Sequence, residues 1–244
     1  MRGVVRHIQV APDVEVHLTG ASLVGLDDAN LAHHRPHVPA ALAAARAQVA
    51  AASGTDAAEW IMMRQVHGSA VGDADAVAPG TEIRDVDALI TTHVARPLVV
   101  LTADCVPVVI VGSLAIAAVH AGWRGVVGDV VGRTVEAMVV AGERPTTLRA
   151  LIGPSIGACC YAVGEEVRSA VGALAVDAVA VTRDARPAVD LVAACRARLR
   201  ELGVASDTSA WECTSCGPSG WFSHRRDPSG GRQATIVVRR AVAA

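Results

Sequence analysis

LVVLTADCVPVVIVGSLAIAAVH, residues 98–120, is the stretch whose reading decides the fold class. It holds three apolar runs, Leu98 to Leu101, Val106 to Val111 and Leu114 to Val119, separated by a short polar break and by Gly112-Ser113. A strand with one wet face alternates apolar and polar residues. These runs do not alternate, so they are predicted as central strands covered on both faces. A membrane-spanning helix needs about 20 apolar residues, and Asp104, Pro107 and Gly112 interrupt this reach. It reads as buried strands joined by turns.

Working outward, Trp60 to Val66 is a short strand candidate that delivers Arg64, Gln65 and His67 at its exit, and Asp87 to Thr92 is another. The polar stretch between them, 68–85, reads as an exposed loop. Beyond His120, Gly122 to Gly125 bend the chain into a helix predicted over Val126 to Val140, ended by Gly142 and Pro145. A strand at Leu148 to Ile152 leads into the glycine-rich turn GPSIGACC. Helices are predicted over Val163 to Val179 and Pro187 to Leu202, and a closing strand over Ala234 to Val238. At the other end, Val4 to Leu18 suggests a hairpin around Ala11-Pro12-Asp13, residues 19–39 a long His-rich loop, and PAALAAARAQVAAA from Pro39 a helix stopped at Ser53-Gly54. The helices come in clusters, so the expectation is a single domain, 1–244, of layered α/β class with mixed sheets. No G-x-G-x-x-G follows a strand and opens a helix, which argues against a dinucleotide fold.

A chain of 244 residues is long enough to bury about three quarters of its unfolded surface without a disulfide. Hydrophobic residues make up 52% but aromatics only 2%, so the core is built from Val, Ala, Leu and Ile. All 22 basic side chains are Arg; the net charge of -2 leaves no field to attract a polyanion, so neither nucleic acid nor membrane is expected as a partner. Arg225, Arg226, Arg232, Arg239 and Arg240 are dense enough for one phosphate site. The N-terminus, with charges scattered through it, does not read as a secretory signal, and a cytoplasmic location is expected. The six cysteines are then thiols or ligands.

Three residues stand out as ligands. His67 follows a strand in M-R-Q-V-H-G, Cys105 lies between two apolar runs in L-T-A-D-C-V-P, and His120 leaves a buried strand in A-V-H-A-G-W-R-G. Two imidazoles and one thiolate are a catalytic zinc set that leaves a fourth position open. The same donors also bind copper, more tightly than zinc by general metal preference. Spacing alone does not separate this reading from a buried thiol beside two strand-end histidines, because the ligands match no compact zinc signature.

These blocks resemble the YfiH/YlmD-type family, once described as multicopper polyphenol oxidases or laccases. The matching segments are RQVHG at 64–68, DALIT at 87–91, LTADCVPV at 101–108, HAGWRG at 120–125, IGPSIGACCYAVGEEV at 152–167, CTSC at 213–216, WFSHRRD at 221–227 and GRQATIVV at 231–238. The resemblance implies an α/β/β/α layered sandwich and a metal held by His67, Cys105 and His120. It also implies purine nucleoside chemistry: phosphorolysis of adenosine, inosine or methylthioadenosine by inorganic phosphate, and deamination of adenosine. In some bacteria the family is associated with peptidoglycan editing. Ala162 and Val111 stand where many relatives have acidic residues, and Ser223-His224-Arg225 replaces a common Ser-Tyr-Arg, so no carboxylate or phenol role carries over there.

Within that reading, Asp104 is a candidate for support of the metal site or proton transfer, and Arg64 and Arg124 for phosphate. Gln65, Ser155, His224 and Arg225 are candidates for substrate contact. Gly153 to Gly157 match the G-x-S-x-G hydrolase elbow, but no long helix follows at once, and a glycine-rich turn is the better reading. Cys213 and Cys216 form a C-x-x-C that packs beside the cavity or joins Cys159 and Cys160 at a second metal. Two other functions fit the sequence: a peptidoglycan-precursor editing hydrolase with Cys105 as nucleophile and His120 as base, and a non-enzymatic accessory binding protein.

Overall fold

The computed structural model describes residues 5–23, 29–218 and 220–241. Val4 of the predicted hairpin, residues 24–28 of the predicted loop, and Ser219 lie outside these. In chain order the elements are β1 (Arg6–Ala11), β2 (Val14–Leu18), α1 (Pro39–Ser53), β3 (Met62–Arg64), β4 (Val71–Asp73), β5 (Glu82–Arg84), β6 (Ala88–Thr91), β7 (Leu98–Thr102), β8 (Val106–Val111), β9 (Ile116–Ala121), α2 (Trp123–Val127) and α3 (Val130–Val140). They continue with β10 (Arg149–Ile152), α4 (Glu165–Leu174), β11 (Val179–Val181), β12 (Pro187–Val189), α5 (Leu191–Glu201), β13 (Ala205–Asp207) and β14 (Gln233–Arg239).

Two sheets carry the fold, one ordered β1-β2-β14-β7 and the other β13-β10-β8-β9-β6-β4. Alternation along each central strand sorts its side chains between two cores. From β7, Leu98 and Val100 join Val16, Val237, Val109, Val111, Ile116 and Ala118 between the sheets. Val99 and Leu101 point the other way, with Ile236, onto Ala45 and Val49 of α1. On the far side, Val106, Val108, Ile110, Ala117 and Val119 pack against Val131 and Val135 of α3 and Leu199 of α5. The result is the expected α/β/β/α layering, and it explains the runs without polar alternation: both faces of β7, β8 and β9 are dry. A fully buried Val or Leu contributes about 1.5–3 kcal/mol, so these strands hold the frame that positions the loops at their ends.

The structure corrects four boundaries. Asp129 adopts a left-handed φ of 62° and its side chain accepts from the Gly132 N–H, so the helix predicted over 126–140 is two, α2 and α3. The Asp190 side chain caps α5 at Ala193, and Pro187–Val189 ahead of it is a strand. That strand pairs antiparallel with Val179–Val181, which removes the last turn of the helix predicted to reach Val179. Finally, the loop 68–85 contains β4, parallel to β6, and β5, parallel to β3.

Candidate metal centre

Strand ends bring the three predicted ligands together. His67 follows β3 in a turn where its own φ is 61°; Cys105 sits in the β7–β8 turn behind Asp104, whose φ is 94°; His120 is the penultimate residue of β9. Left-handed backbone at these two non-glycine residues costs about 1–3 kcal/mol each and shapes the turns that bear His67 and Cys105. The ligand atoms of His67, Cys105 and His120 all lie within 4.8 Å of one another. The two imidazoles meet edge to face with centroids 4.8 Å apart. Gly122 makes room, since a Cβ there would stand 2.9 Å from His67 Cδ2 and 3.1 Å from Cys105 Sγ.

Asp87, which the sequence reading placed only at the start of a strand, organises the site. It is fully buried, and its Oδ1 accepts from His120 Nδ1 at 2.8 Å and from the His67 N–H at 2.9 Å. Its Oδ2 accepts from the N–H groups of Val66 and Gly68. The His120 Nδ1 proton is thereby committed to Asp87, and Nε2 is left as the ligand atom, the arrangement that carboxylates impose on metal-binding histidines. Burial opposes charge on Cys105, but the imidazoles of His120 and His67 within hydrogen-bonding reach outweigh it and bring the thiol down to about 6. Burial likewise opposes charge on His120, and Cys105 and Asp87 outweigh it and lift the imidazole to about 9. A half-buried thiolate with two convergent imidazoles is a donor set suited to zinc, and also to copper.

The centre opens into a cavity of about 560 Å³ whose lining includes His34, Arg35, Trp123, Arg124, Tyr161, His224, Arg225 and Arg232. The Arg124 guanidinium lies over the Trp123 ring at 4.4 Å and that of Arg225 over Tyr161 at 5.0 Å. Burial, then the neighbouring charge of Arg35, lowers Arg232. Four guanidiniums around one hollow repel each other and favour an anion between them. Burial and the negative charge of Cys105 push the Tyr161 phenol up to about 12, so it stands as a neutral hydroxyl.

Several predicted residues have other occupations. Arg64 is exposed on β3 and does not line the cavity. Ser155 is fully buried and its hydroxyl accepts from Trp211 Nε1, so it faces away from the cavity and offers no nucleophile there. Gln65 lines the cavity, but its amide pairs with both the N–H and the carbonyl of Leu101. Asp104 reaches the cavity with both carboxylate oxygens engaged, one by the Thr214 hydroxyl and one by the Arg225 N–H. It braces the Cys105 turn against the C-terminal loop. Of the dense arginines, Arg225 and Arg232 line the cavity while one nitrogen of each also donates to backbone, Arg225 to the Ala162 carbonyl and Arg232 to those of Gly230 and Gly231; Arg226 binds the carbonyls of Thr214 and Ser215, and Arg239 and Arg240 pair with Asp13 and Glu15. Trp123 and Tyr161 stood within the HAGWRG and IGPSIGACCYAVGEEV blocks without being singled out, and His34 and Arg35 had no spacing signal that tied them to the ligands.

The family described as "Multi-copper polyphenol oxidoreductase laccase" matches residues 15–240. A Streptomyces coelicolor protein named purine nucleoside phosphorylase SCO2081 is 38% identical over 220 residues, which cover 89% of this chain and 90% of that protein. The crystal structure of Bacillus licheniformis YfiH superposes with a TM-score of 0.84 at 25% identity, covering 96% of this chain and 99% of the other. That of YlmD from Geobacillus stearothermophilus does so with a TM-score of 0.82 at 25% identity, covering 98% and 100%. Among the described residues no helix is long and apolar enough to cross a membrane.

Proposed function

Since the chain belongs to the multi-copper polyphenol oxidoreductase laccase family, and its relatives include proteins named purine nucleoside phosphorylase, we propose that it is a zinc-dependent purine nucleoside enzyme. Its reactions are phosphorolysis of adenosine, inosine or methylthioadenosine and deamination of adenosine. The observation that carries this reading is the meeting, in one cavity, of the His67–Cys105–His120 donor set with Arg35, Arg124, Arg225 and Arg232. A phenol oxidase that reduces oxygen needs several coppers bridged by many imidazoles, and here two imidazoles converge on one metal position. The guanidiniums have no task in such chemistry.

His67, Cys105 and His120 would hold the zinc, which when bound supplies a Lewis acid and lowers the pKa of water. Around it, each group of the chain has a task. Asp87 fixes the His120 ring. The arginines bind and orient inorganic phosphate, whose oxygen forms a bond to C1′ of the ribose while the bond from C1′ to the purine breaks, giving free base and ribose 1-phosphate. Tyr161, still protonated, donates a hydrogen bond within the cavity, and His224 and His34 are placed to carry the proton that the departing base takes up. In deamination, water adds its oxygen at C6 of adenosine and the exocyclic nitrogen leaves as ammonia, giving inosine.

A second reading rests on a specific connectivity. Cys105, His120 and Asp87 are also linked in the order of a nucleophile, base and orienting carboxylate, as an editing hydrolase acting on peptidoglycan precursors would need. That arrangement leaves the second imidazole, His67, without a purpose. His67→Ala separates the two: activity lost together with the zinc of this centre fits the metalloenzyme, and activity that survives without that zinc fits the thiol nucleophile.

A further inference from the structure

A second group of ligand atoms lies outside this centre. Cys159 and Cys160 end the glycine-rich turn that follows β10, and Cys213 and Cys216 belong to the loop before β14. Paired backbone joins the two segments: the Ser155 N–H donates to the Glu212 carbonyl at 3.1 Å and the Thr214 N–H to the Ser155 carbonyl at 3.1 Å. Within the second segment the Gly217 N–H donates to the Cys213 carbonyl at 2.7 Å, closing the C-x-x-C into a tight turn. All four sulfurs fall within 4.8 Å of one another.

The spacing is informative. Cys159 Sγ stands 3.7 Å from Cys213 Sγ and 3.7 Å from Cys216 Sγ. Four sulfurs placed tetrahedrally at the zinc–thiolate distance of about 2.3 Å are about 3.8 Å apart along each edge. A disulfide would single out one partner for Cys159, whereas here two stand at the same distance. Backbone also turns toward the cluster: the Gly157 N–H donates to Cys213 Sγ at 3.3 Å, the kind of hydrogen bond that supports a metal-binding sulfur. The Arg183 N–H donates to the Cys159 carbonyl at 3.2 Å and so ties the β11–β12 turn to the first cysteine pair.

From this geometry we infer that Cys159, Cys160, Cys213 and Cys216 hold a second zinc ion, closed to substrate and structural in role. Four thiolates leave no open position, which distinguishes it from the three-ligand centre. The ion pins the C-terminal loop to the glycine-rich turn. Through Thr214, whose hydroxyl bonds Asp104, and through Arg226, which binds the Thr214 and Ser215 carbonyls, it sets the wall that carries His224 and Arg225.

The test is metal stoichiometry on purified full-length chain, by elemental mass spectrometry, for the parent and two double variants. The parent is expected to hold two zincs. His67→Ala/Cys105→Ala is expected to keep one, and cobalt exchanged into it is expected to give the intense charge-transfer absorption of a four-thiolate site. Cys213→Ser/Cys216→Ser is expected to lose one zinc and keep the other. Should the serine variant fail to fold, the His67→Ala/Cys105→Ala protein decides alone. One zinc in the parent and none in that variant would overturn the inference, as would iron in place of zinc, or a mass two hydrogens lighter with a disulfide mapped between the pairs.

Discussion

Asp87 Oδ1 accepts a hydrogen bond from His120 Nδ1 at 2.8 Å, with the two side chains 0% and 3% exposed. The same carboxylate gathers the N–H groups of Val66, His67 and Gly68. One buried acid therefore orients one proposed ligand and shapes the turn that bears another. Asp87→Asn keeps the size of the side chain but places an amide N–H₂ where acceptors are needed. Zinc affinity at the His67–Cys105–His120 centre is expected to fall about 10–100-fold, the usual cost of losing such a partner. Competition with a chromophoric chelator measures it, and unchanged affinity would show that the carboxylate serves the fold alone.

Arg124 faces the cavity from α2, stacked on Trp123. If it binds phosphate, Arg124→Ala removes a charge-assisted hydrogen bond of about 1.5–3 kcal/mol, and KM for phosphate in phosphorolysis is expected to rise about tenfold or more. Deamination, in which water replaces phosphate, is expected to change little. Steady-state kinetics of both reactions on one preparation check this, and an equal loss in both would place Arg124 at the nucleoside instead.

Tyr161 is the single tyrosine of the chain, so its titration reads directly in phenolate absorbance. In the zinc-free protein, burial and then the charge of Cys105 raise it from an ordinary 10 to about 12. The folded state thus holds the proton more tightly than the unfolded chain. Its contribution to stability is fully present below pH 10 and is lost as pH rises toward 12. Between those values the native protein is expected to show less phenolate absorbance than the same chain in denaturant. Coincident titration curves would contradict the buried, neutral phenol.

The fold was legible in residues 98–120 because burial on both faces leaves a mark in composition: Val99 and Val100 point to different cores, yet each meets apolar neighbours. The cluster of His67, Cys105 and His120 was legible through the RQVHG, TADC and HAGWRG blocks. Asp104, next to Cys105 in the chain, was legible as support for the site, although its partner Thr214 lies 110 residues away. Asp87 was not: it acts across the β6–β9 pairing, and no local pattern announces that. Gln65 and Ser155 carry the right functional groups for substrate contact, but backbone and Trp211 occupy them, a competition visible only in three dimensions. Short caps had the same effect on boundaries: Asp129 and Asp190 each start a helix where hydrophobic periodicity alone continues it.

The most direct test of the central claim is product identification by mass spectrometry with zinc-loaded protein, adenosine and phosphate, beside a Cys105→Ala control. The account predicts inosine from deamination, and adenine with ribose 1-phosphate from phosphorolysis, all absent from the control. Well-folded, zinc-bound protein that turns over neither bond of adenosine would contradict the purine assignment and leave the Cys105–His120–Asp87 hydrolase as the better account of the same residues.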